Sequence, residues 1–190
     1  AALQKTAQAF ALAEAAEDPP SMAAATITEA WLRFRLGQYP QAAKLAESAL
    51  AATNDLSLRA EAWLILGNCA GETDNLAACE DYLRRTADLC RELGLHELLV
   101  RALHNMCAIV YMPRGQFELS LATDQEALRI MEEHSLDEYR WGPLVTMAWV
   151  YWLTSQWTNA YATLDRLEKI MLPGSIGEGY YYLTLANLAV

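Results

Sequence analysis

The same short pattern occurs four times along this chain, and the repetition constrains the fold more than any other feature of the sequence. Each copy has a turn-forming residue, a large apolar residue two positions later and a small residue three positions after that. The copies are Gly37, Tyr39, Ala42; Asp74, Leu76, Cys79; Gly115, Phe117, Ser120; and Ser155, Trp157, Ala160. Their starts lie 37, 41 and 40 residues apart. A period of this length is typical of stacked structural repeats.

A second small residue lies seven positions before each copy: Ala30, Gly67, Ala108 and Ala148. Two small positions per repeat predict a helical hairpin, because the side chains at a helix crossing set how closely the two axes approach. The large residue between the two positions then fills the space beside the turn. One hairpin cannot cover its own apolar face, so we expect the copies to stack.

Composition agrees with a helical repeat. The 190 residues include 33 alanines but only 5 valines and 6 isoleucines, which favours helices over strands. We therefore predict an all-α fold, a solenoid of antiparallel helix pairs with a period of about 40 residues. Ser21 and Asp137 are the expected N-caps. The predicted helices cover residues 2–16, 22–36, 40–52, 57–70, 75–93, 97–111, 117–134, 138–153, 157–171 and 178–190.

These helices predict a single array over residues 1–190, with four complete hairpins at 22–52, 57–93, 97–134 and 138–171 and a partial hairpin at each end. The chain begins with Ala1 and ends within an apolar run, so we expect it to be a fragment of a longer protein. Apolar faces at the ends of such an array could support a homo-oligomer.

Charge and cysteine content exclude some partners. The formal net charge is −10 and the basic residues are scattered, whereas nucleic acid and anionic membranes require clustered lysine and arginine. The longest apolar stretches are too short to span a bilayer. The four cysteines form no CxxC motif and are expected to be buried free thiols, which favours a cytoplasmic location: Cys69, Cys79, Cys90 and Cys107.

Several residues match a known family. Trp63, Leu66 and Gly67 match the W-x2-L-G opening of tetratricopeptide repeats, although Ala70 stands at the family's tyrosine position. Gly37, Tyr39 and Ala42, followed by Ala49 and Leu50, are similar to the second half of that repeat. The resemblance implies a right-handed superhelical solenoid of antiparallel helix pairs. The period near 40 is longer than the family's usual 34 residues.

The lengthened repeat, with phrases such as Arg91-Glu92-Leu93-Gly94, resembles the sensor arrays of large bacterial transcriptional regulators similar to the maltose-regulon activator and other LuxR-type proteins. In that family a signal-transduction ATPase precedes the array and a helix-turn-helix often follows it. This sequence contains neither a phosphate-binding loop nor a basic recognition helix.

Catalytic motifs are incomplete. His96-Glu97 opens like a zinc-protease HExxH motif, but Val100 replaces the second ligand. His104 and Cys107 lie three residues apart on one helix with no third ligand at helical spacing, so burial is expected instead of metal binding. The segment 173–177 lacks the leading glycine of G-x-S-x-G, and the carboxylates at 132–133 and 137–138 are expected to be solvated. We expect neither an enzyme nor a cofactor.

In the family that the chain resembles, the first helix of each hairpin lines a concave groove. The groove residues predicted from the register are Trp31, Phe34, Asn68, Asn105, Met112, Trp149 and Trp152. Positions three and four residues apart share a helical face. The alternative is that these aromatic side chains only pack between hairpins. As a site, the groove would bind a peptide, a helix or a sugar-like effector, with aromatic stacking and asparagine hydrogen bonds.

Two functions remain open from the sequence. The first is a non-catalytic module that senses a small effector or a protein partner and relays its occupancy to flanking domains of a transcriptional regulator. The second is a structural adaptor that scaffolds protein assembly without an effector. An α-helical enzyme would require His104, Cys107 and a carboxylate to meet in one pocket.

Overall fold

The computed structural model of the chain describes residues 2–136, 140–170, 174 and 176–188, and every regular element in this part of the chain is helical, as predicted. The hairpins are numbered by their helix pairs: α2 and α3, α4 and α5, α6 and α7, α8 and α9. The helices are α1 (Ala2–Ala15), α2 (Pro19–Arg35), α3 (Tyr39–Ala52), α4 (Leu56–Glu72), α5 (Leu76–Leu93), α6 (His96–Asn105), α7 (Phe117–His134), α8 (Trp141–Leu153), α9 (Trp157–Ile170) and α10 (Ile176–Leu188).

The chain forms two compact units, one up to Leu98 and one from Leu99 onward. In the first unit α1 packs on α2, α2 on α3, α3 on α4 and α4 on α5. In the second, α7 packs on α8, α8 on α9, and α10 on both α8 and α9. The first helix of one hairpin also contacts the first helix of the next (α2 with α4, α8 with α10), as expected for stacked hairpins.

All four predicted turn residues adopt the left-handed backbone conformation: Gly37 (φ 72°), Asp74 (φ 59°), Gly115 (φ 69°) and Ser155 (φ 59°). The second helix of each hairpin begins two residues later, at the large apolar residue of the repeat. This turn ends the first helix because the left-handed region cannot continue a right-handed one. The four copies of the sequence pattern therefore mark four copies of one turn.

We expect Gly115→Ala to lower the free energy of unfolding by about 1 kcal/mol, since alanine is strained at positive φ. No heavy atom of a described residue lies within 4 Å of the position that the new Cβ would take, so the effect comes from the backbone. Gly179, within α10, has equally open surroundings but helical backbone, so Gly179→Ala should stabilise the chain. Urea unfolding of both variants measures the difference. Effects of the same sign would contradict this account of the turn.

The small residues lie at the helix crossings in three hairpins, where Ala30, Gly67 and Ala148 are buried. The third hairpin differs. Here α6 continues as a π-helical segment (Met106–Tyr111), which adds a residue per turn and shifts the register. Cys107 is fully buried, whereas Ala108 is only half-buried. The assignment of Ala108 to the crossing was therefore wrong by one position.

Helix boundaries agree with the predicted ranges to within three residues, apart from the π segment. The N-cap of α2 is Asp18, not Ser21 as predicted; the Asp18 carboxylate accepts hydrogen bonds from the backbone N–H and the hydroxyl of Ser21. Pro19 and Pro20 fit the first turn of this helix because N–H groups there need no intrahelical acceptor. The second predicted N-cap, Asp137, lies outside the described residues. Among the described helices, none is both long enough and apolar enough to cross a membrane.

Candidate functional site

The aromatic residues predicted to line a groove form two equivalent clusters, one in each unit. In hairpin 1, Trp31 meets Phe34 edge-on (ring centroids 6.0 Å apart, planes at 88°), and Phe34 contacts Tyr39 (5.4 Å). We call these three residues the first aromatic triad. Edge-to-face geometry is the arrangement that aromatic pairs prefer, since the positive edge of one ring meets the negative face of the other.

Hairpin 4 contains the second aromatic triad. Trp149 meets Trp152 edge-on (5.7 Å, 86°), and Trp152 meets Trp157 (6.3 Å, 75°). Counted from the crossing residue of each hairpin, the members of both triads occupy the same three positions: one, four and nine residues later. The first two lie on one face of the first helix and the third begins the second helix. Both triads therefore flank the turn of their hairpin.

Burial shows that each triad also has a packing role. Trp31, Phe34 and Tyr39 are half-buried and pack against the apolar core of the first unit. The interaction of the Tyr39 hydroxyl with the Glu72 carboxylate at the end of α4 raises the pKa of this tyrosine. Trp149 and Trp152 are half-buried, while Trp157 is 50% exposed. Both triads thus combine packing with exposed ring surface.

The other predicted groove residues lie in hairpins 2 and 3. Asn68 is only 5% exposed, which leaves its amide little surface for a ligand. Asn105 and Met112, at the two ends of the π segment, are half-buried. At the triad positions hairpin 2 has Asn68, Gly71 and Leu76, so hairpin 2 lacks a triad.

A buried polar cluster lies between α6 and α7. The Nδ1 atom of His104 is 3.4 Å from Oδ1 of Asp124, which is fully buried, and the other oxygen of Asp124 has no hydrogen-bond partner among the described residues. The Cys107 thiol donates a hydrogen bond to the backbone oxygen of Ser120 (3.3 Å). Asp124 stands four residues after Ser120, at the position of the buried residues Ala46, Leu83 and Leu164 in the other hairpins. The cluster therefore places a carboxyl group where the repeat otherwise has an apolar side chain.

This cluster has the residue types of a cysteine–histidine site but not the chemistry. Burial, reinforced by the nearby Asp124, raises the pKa of the Cys107 thiol well above its ordinary value, so the thiol stays protonated and is a poor nucleophile. Burial also raises the pKa of Asp124. His104 contacts Asp124 through Nδ1 while its Nε2 side packs against the backbone of Gly142. Among the described residues no group of three His, Cys, Asp or Glu side chains is arranged to hold a metal ion.

All four cysteines are free and buried, as predicted. Burial raises the pKa of Cys69 and of Cys90 to about 11, which keeps both as thiols near neutral pH. Glu132 and Glu133 are exposed, as expected for solvated carboxylates. Of the remaining sequence motifs, residues 137–138 and Pro173 and Ser175 of segment 173–177 lie outside the described residues.

Sequence patterns identified only part of this arrangement. Trp31, Phe34, Trp149 and Trp152 were predicted to share a face, and Tyr39 and Trp157 were assigned only to the turn. The available signal was the spacing of one, four and nine residues after the crossing. Asp124 was missed, although its place four residues after the small residue of the second helix marks it as a core position.

Comparisons with known proteins inform the fold alone. No protein-family model matches the chain, and no curated protein matches it. The chain is similar in structure to BtubC (BKLC) from P. vanneervenii, whose crystal structure superposes with a TM-score of 0.74 at 16% sequence identity. The match covers 99% of this chain and 84% of the other. At this identity the similarity supports an all-helical, helical-repeat-like fold and carries no function across.

Proposed function

We propose that the chain is a non-catalytic ligand- or protein-binding module of tetratricopeptide-repeat type, in a multidomain bacterial transcriptional regulator of the cytoplasm. The observation that carries this proposal is the pair of aromatic triads at equivalent positions of hairpins 1 and 4. Packing alone explains the buried part of each ring. The exposed half of Trp157 at the start of α9 adds ring surface that a ligand can contact.

The triads suit a ligand with apolar or planar groups. Exposed tryptophan and tyrosine rings supply a large rigid contact area with few rotatable bonds, which is why they dominate binding energy at recognition surfaces. A peptide side chain or the apolar face of a sugar matches this chemistry. Because neighbouring hairpins in a stack move little independently, an occupant held by one triad would favour one curvature of its unit and so signal to flanking domains.

Tryptophan fluorescence tests this proposal. A peptide or sugar that binds the second triad should change the emission of the array, and Trp152→Leu should weaken its binding by about tenfold or more, as expected for a recognition hot spot. Trp63→Leu is the matched control, because Trp63 is a half-buried tryptophan outside both triads that contacts Arg59. Absence of any response in the array, together with normal effector response of a regulator that lacks it, would contradict the sensor role.

The alternative is an adaptor that scaffolds protein assembly without an effector. Both proposals use the triads as the binding surface, but they differ in the domains expected beside the array in the full-length protein. A phosphate-binding ATPase before the array and a helix-turn-helix after it in the full-length protein would favour the regulator. Partner capture in a pull-down that is unchanged by Trp149→Ala and Trp152→Ala would contradict assembly through the second triad.

A further inference from the structure

A second recess opens between α7, α8 and α9, away from the aromatic triads. Its volume is about 310 Å³, at the lower end of the range of small-molecule sites, roughly 300–1,000 Å³. Leu128 and Met147 are buried at its base, and Tyr151 of α8 is half-buried beside them. Met147 and Trp149 are two residues apart on α8, which turns their side chains about 200° from one another. This recess, called the arginine recess below, is therefore separate from the second aromatic triad.

The arginine recess brings basic side chains together in an acidic protein. Arg129 of α7 and Arg166 of α9 line it from two different helices, and among the described residues Glu132 is the lining carboxylate. The whole chain has a formal net charge of −10. Two arginines that line one recess, in a chain of negative net charge, can supply the donors that carboxylate and phosphate groups need.

Both arginines have weak acidic partners. Arg166 lies 3.8 Å from Glu132 and Arg129 lies 3.5 Å from Glu133, measured between side-chain nitrogen and oxygen. All four side chains are more than half exposed, and ion pairs in such positions contribute little to stability. An anionic ligand can therefore replace these carboxylates at little energetic cost.

The first unit contains a recess at the equivalent position of the repeat, and comparing the two shows which features are specific to the arginine recess. It lies between α3, α4 and α5 with a volume of about 290 Å³. The pairs Leu66 and Met147, Ala70 and Tyr151, and Ala78 and Asn159 are equivalent in the repeat. Of the residues that the structure describes, no arginine lines the first recess, and its charged lining residue is Glu47. The two recesses thus share one architecture and differ in charge and polarity.

We propose that the arginine recess binds a small organic anion, a molecule with a carboxylate or phosphate group on an apolar body. Arg129 and Arg166 hold the anionic group, Asn159 adds a polar contact, and Tyr151, Leu128 and Met147 contact the apolar body. This site does not depend on the proposed role of the aromatic triads.

Isothermal titration calorimetry of the 190-residue chain with benzoate, phenyl phosphate and neutral benzamide tests the proposal. We expect one site for an aromatic anion and no binding of benzamide, which has the shape of benzoate without its charge. Binding of only one of the two anions would identify the preferred head group. Arg166→Gln should weaken binding about tenfold or more, because a hydrogen-bonded charge partner is lost.

Two further variants distinguish binding at a specific site from nonspecific electrostatic attraction of anions to surface arginines. Arg85→Gln is the matched control, since Arg85 holds the position equivalent to Arg166 and forms a 2.9 Å ion pair with Asp81, outside the first recess. It should leave binding unchanged. Glu132→Gln should tighten binding several-fold, because it removes the competing carboxylate. The proposal is overturned if neither anion binds at millimolar concentration, if benzamide binds equally well, or if Arg85→Gln weakens binding as much as Arg166→Gln.

Discussion

Replacing Leu83 by alanine is expected to lower the free energy of unfolding by about 3 kcal/mol, the usual size of the effect for a leucine removed from a closed core. Leu83 is fully buried in α5 and packs across the crossing of hairpin 2. Its partner at this crossing is Gly67, where an added Cβ would lie 2.9 Å from both Cγ and Cδ2 of Leu83. Gly67 therefore gives Leu83 the space that it fills.

The effect of Gly67→Ala should change sign with the residue at position 83. In the unaltered chain the new methyl group forces Leu83 to move, and this overpacking outweighs the gain in helix propensity of about 1 kcal/mol. In the Leu83→Ala background the same methyl group enters vacated space and should stabilise the protein. The double variant reproduces the alanine pair Ala30 and Ala46 that hairpin 1 has at this crossing.

Urea unfolding of the two single variants and the double variant measures this coupling. We expect an interaction energy of roughly 1–3 kcal/mol, as is found for residues in direct contact. Strictly additive effects would mean that the helices of hairpin 2 separate freely to accept a side chain at Gly67, contrary to the close packing described above.

Replacing Asp124 by asparagine is expected to stabilise the protein by about 1–2 kcal/mol near pH 8. It removes a buried carboxyl group, one oxygen of which has no partner in the part of the chain that the structure describes. Asparagine keeps the shape of the side chain and can still hydrogen-bond His104. The stabilisation should vanish in acid, where the carboxyl group of Asp124 is already neutral.

The sign of this pH dependence follows from the pKa shift. Burial raises the pKa of Asp124 above its ordinary value of 3.8, so the folded protein holds this proton more tightly than the unfolded chain. The contribution of this proton to the free energy of unfolding is fully present below the ordinary pKa of an aspartate. It is lost as the pH rises through the raised pKa of Asp124. Thermal unfolding of the unaltered protein and of Asp124→Asn between pH 4 and 8 measures the effect.

Asp165→Asn is the matched control for this measurement, since Asp165 is an exposed carboxylate on α9. It should change stability little at any pH in this range. If Asp124→Asn were instead less stable than the unaltered protein at pH 8, the buried carboxylate would be a net stabiliser through its contact with His104, and the account above would be wrong.

The fold was predictable because the signals that end one helix and begin the next are local in sequence. A turn residue such as Gly115 and the large residue that follows it act through backbone conformation and nearby packing, which leave the same signature in every copy. The π segment was not predictable in this way. A single additional residue within a continuous apolar helix changes no turn or cap signal, so spacing alone favoured Ala108 over Cys107 at the crossing.

The candidate sites were less accessible to sequence reasoning. Positions three apart on a helix, such as Trp149 and Trp152, reveal a shared face, but contact with Trp157 depends on how the second helix returns past the first. The arginine recess depends still more on tertiary structure, because Arg129 and Arg166 lie on different helices 37 residues apart in sequence. Neither residue forms a motif with its sequence neighbours.

The left-handed residue that opens each turn has a consequence for how such a chain can change in length. The four turns have the same backbone geometry at their left-handed residues, which are Gly37, Asp74, Gly115 and Ser155. Deleting the segment between two such residues therefore joins the remaining helices through a turn of the same geometry. A deletion or insertion that is not a whole repeat would instead shift the start of a helix relative to its turn. Evolution and protein engineering can therefore lengthen or shorten this architecture in complete modules more easily than by single residues.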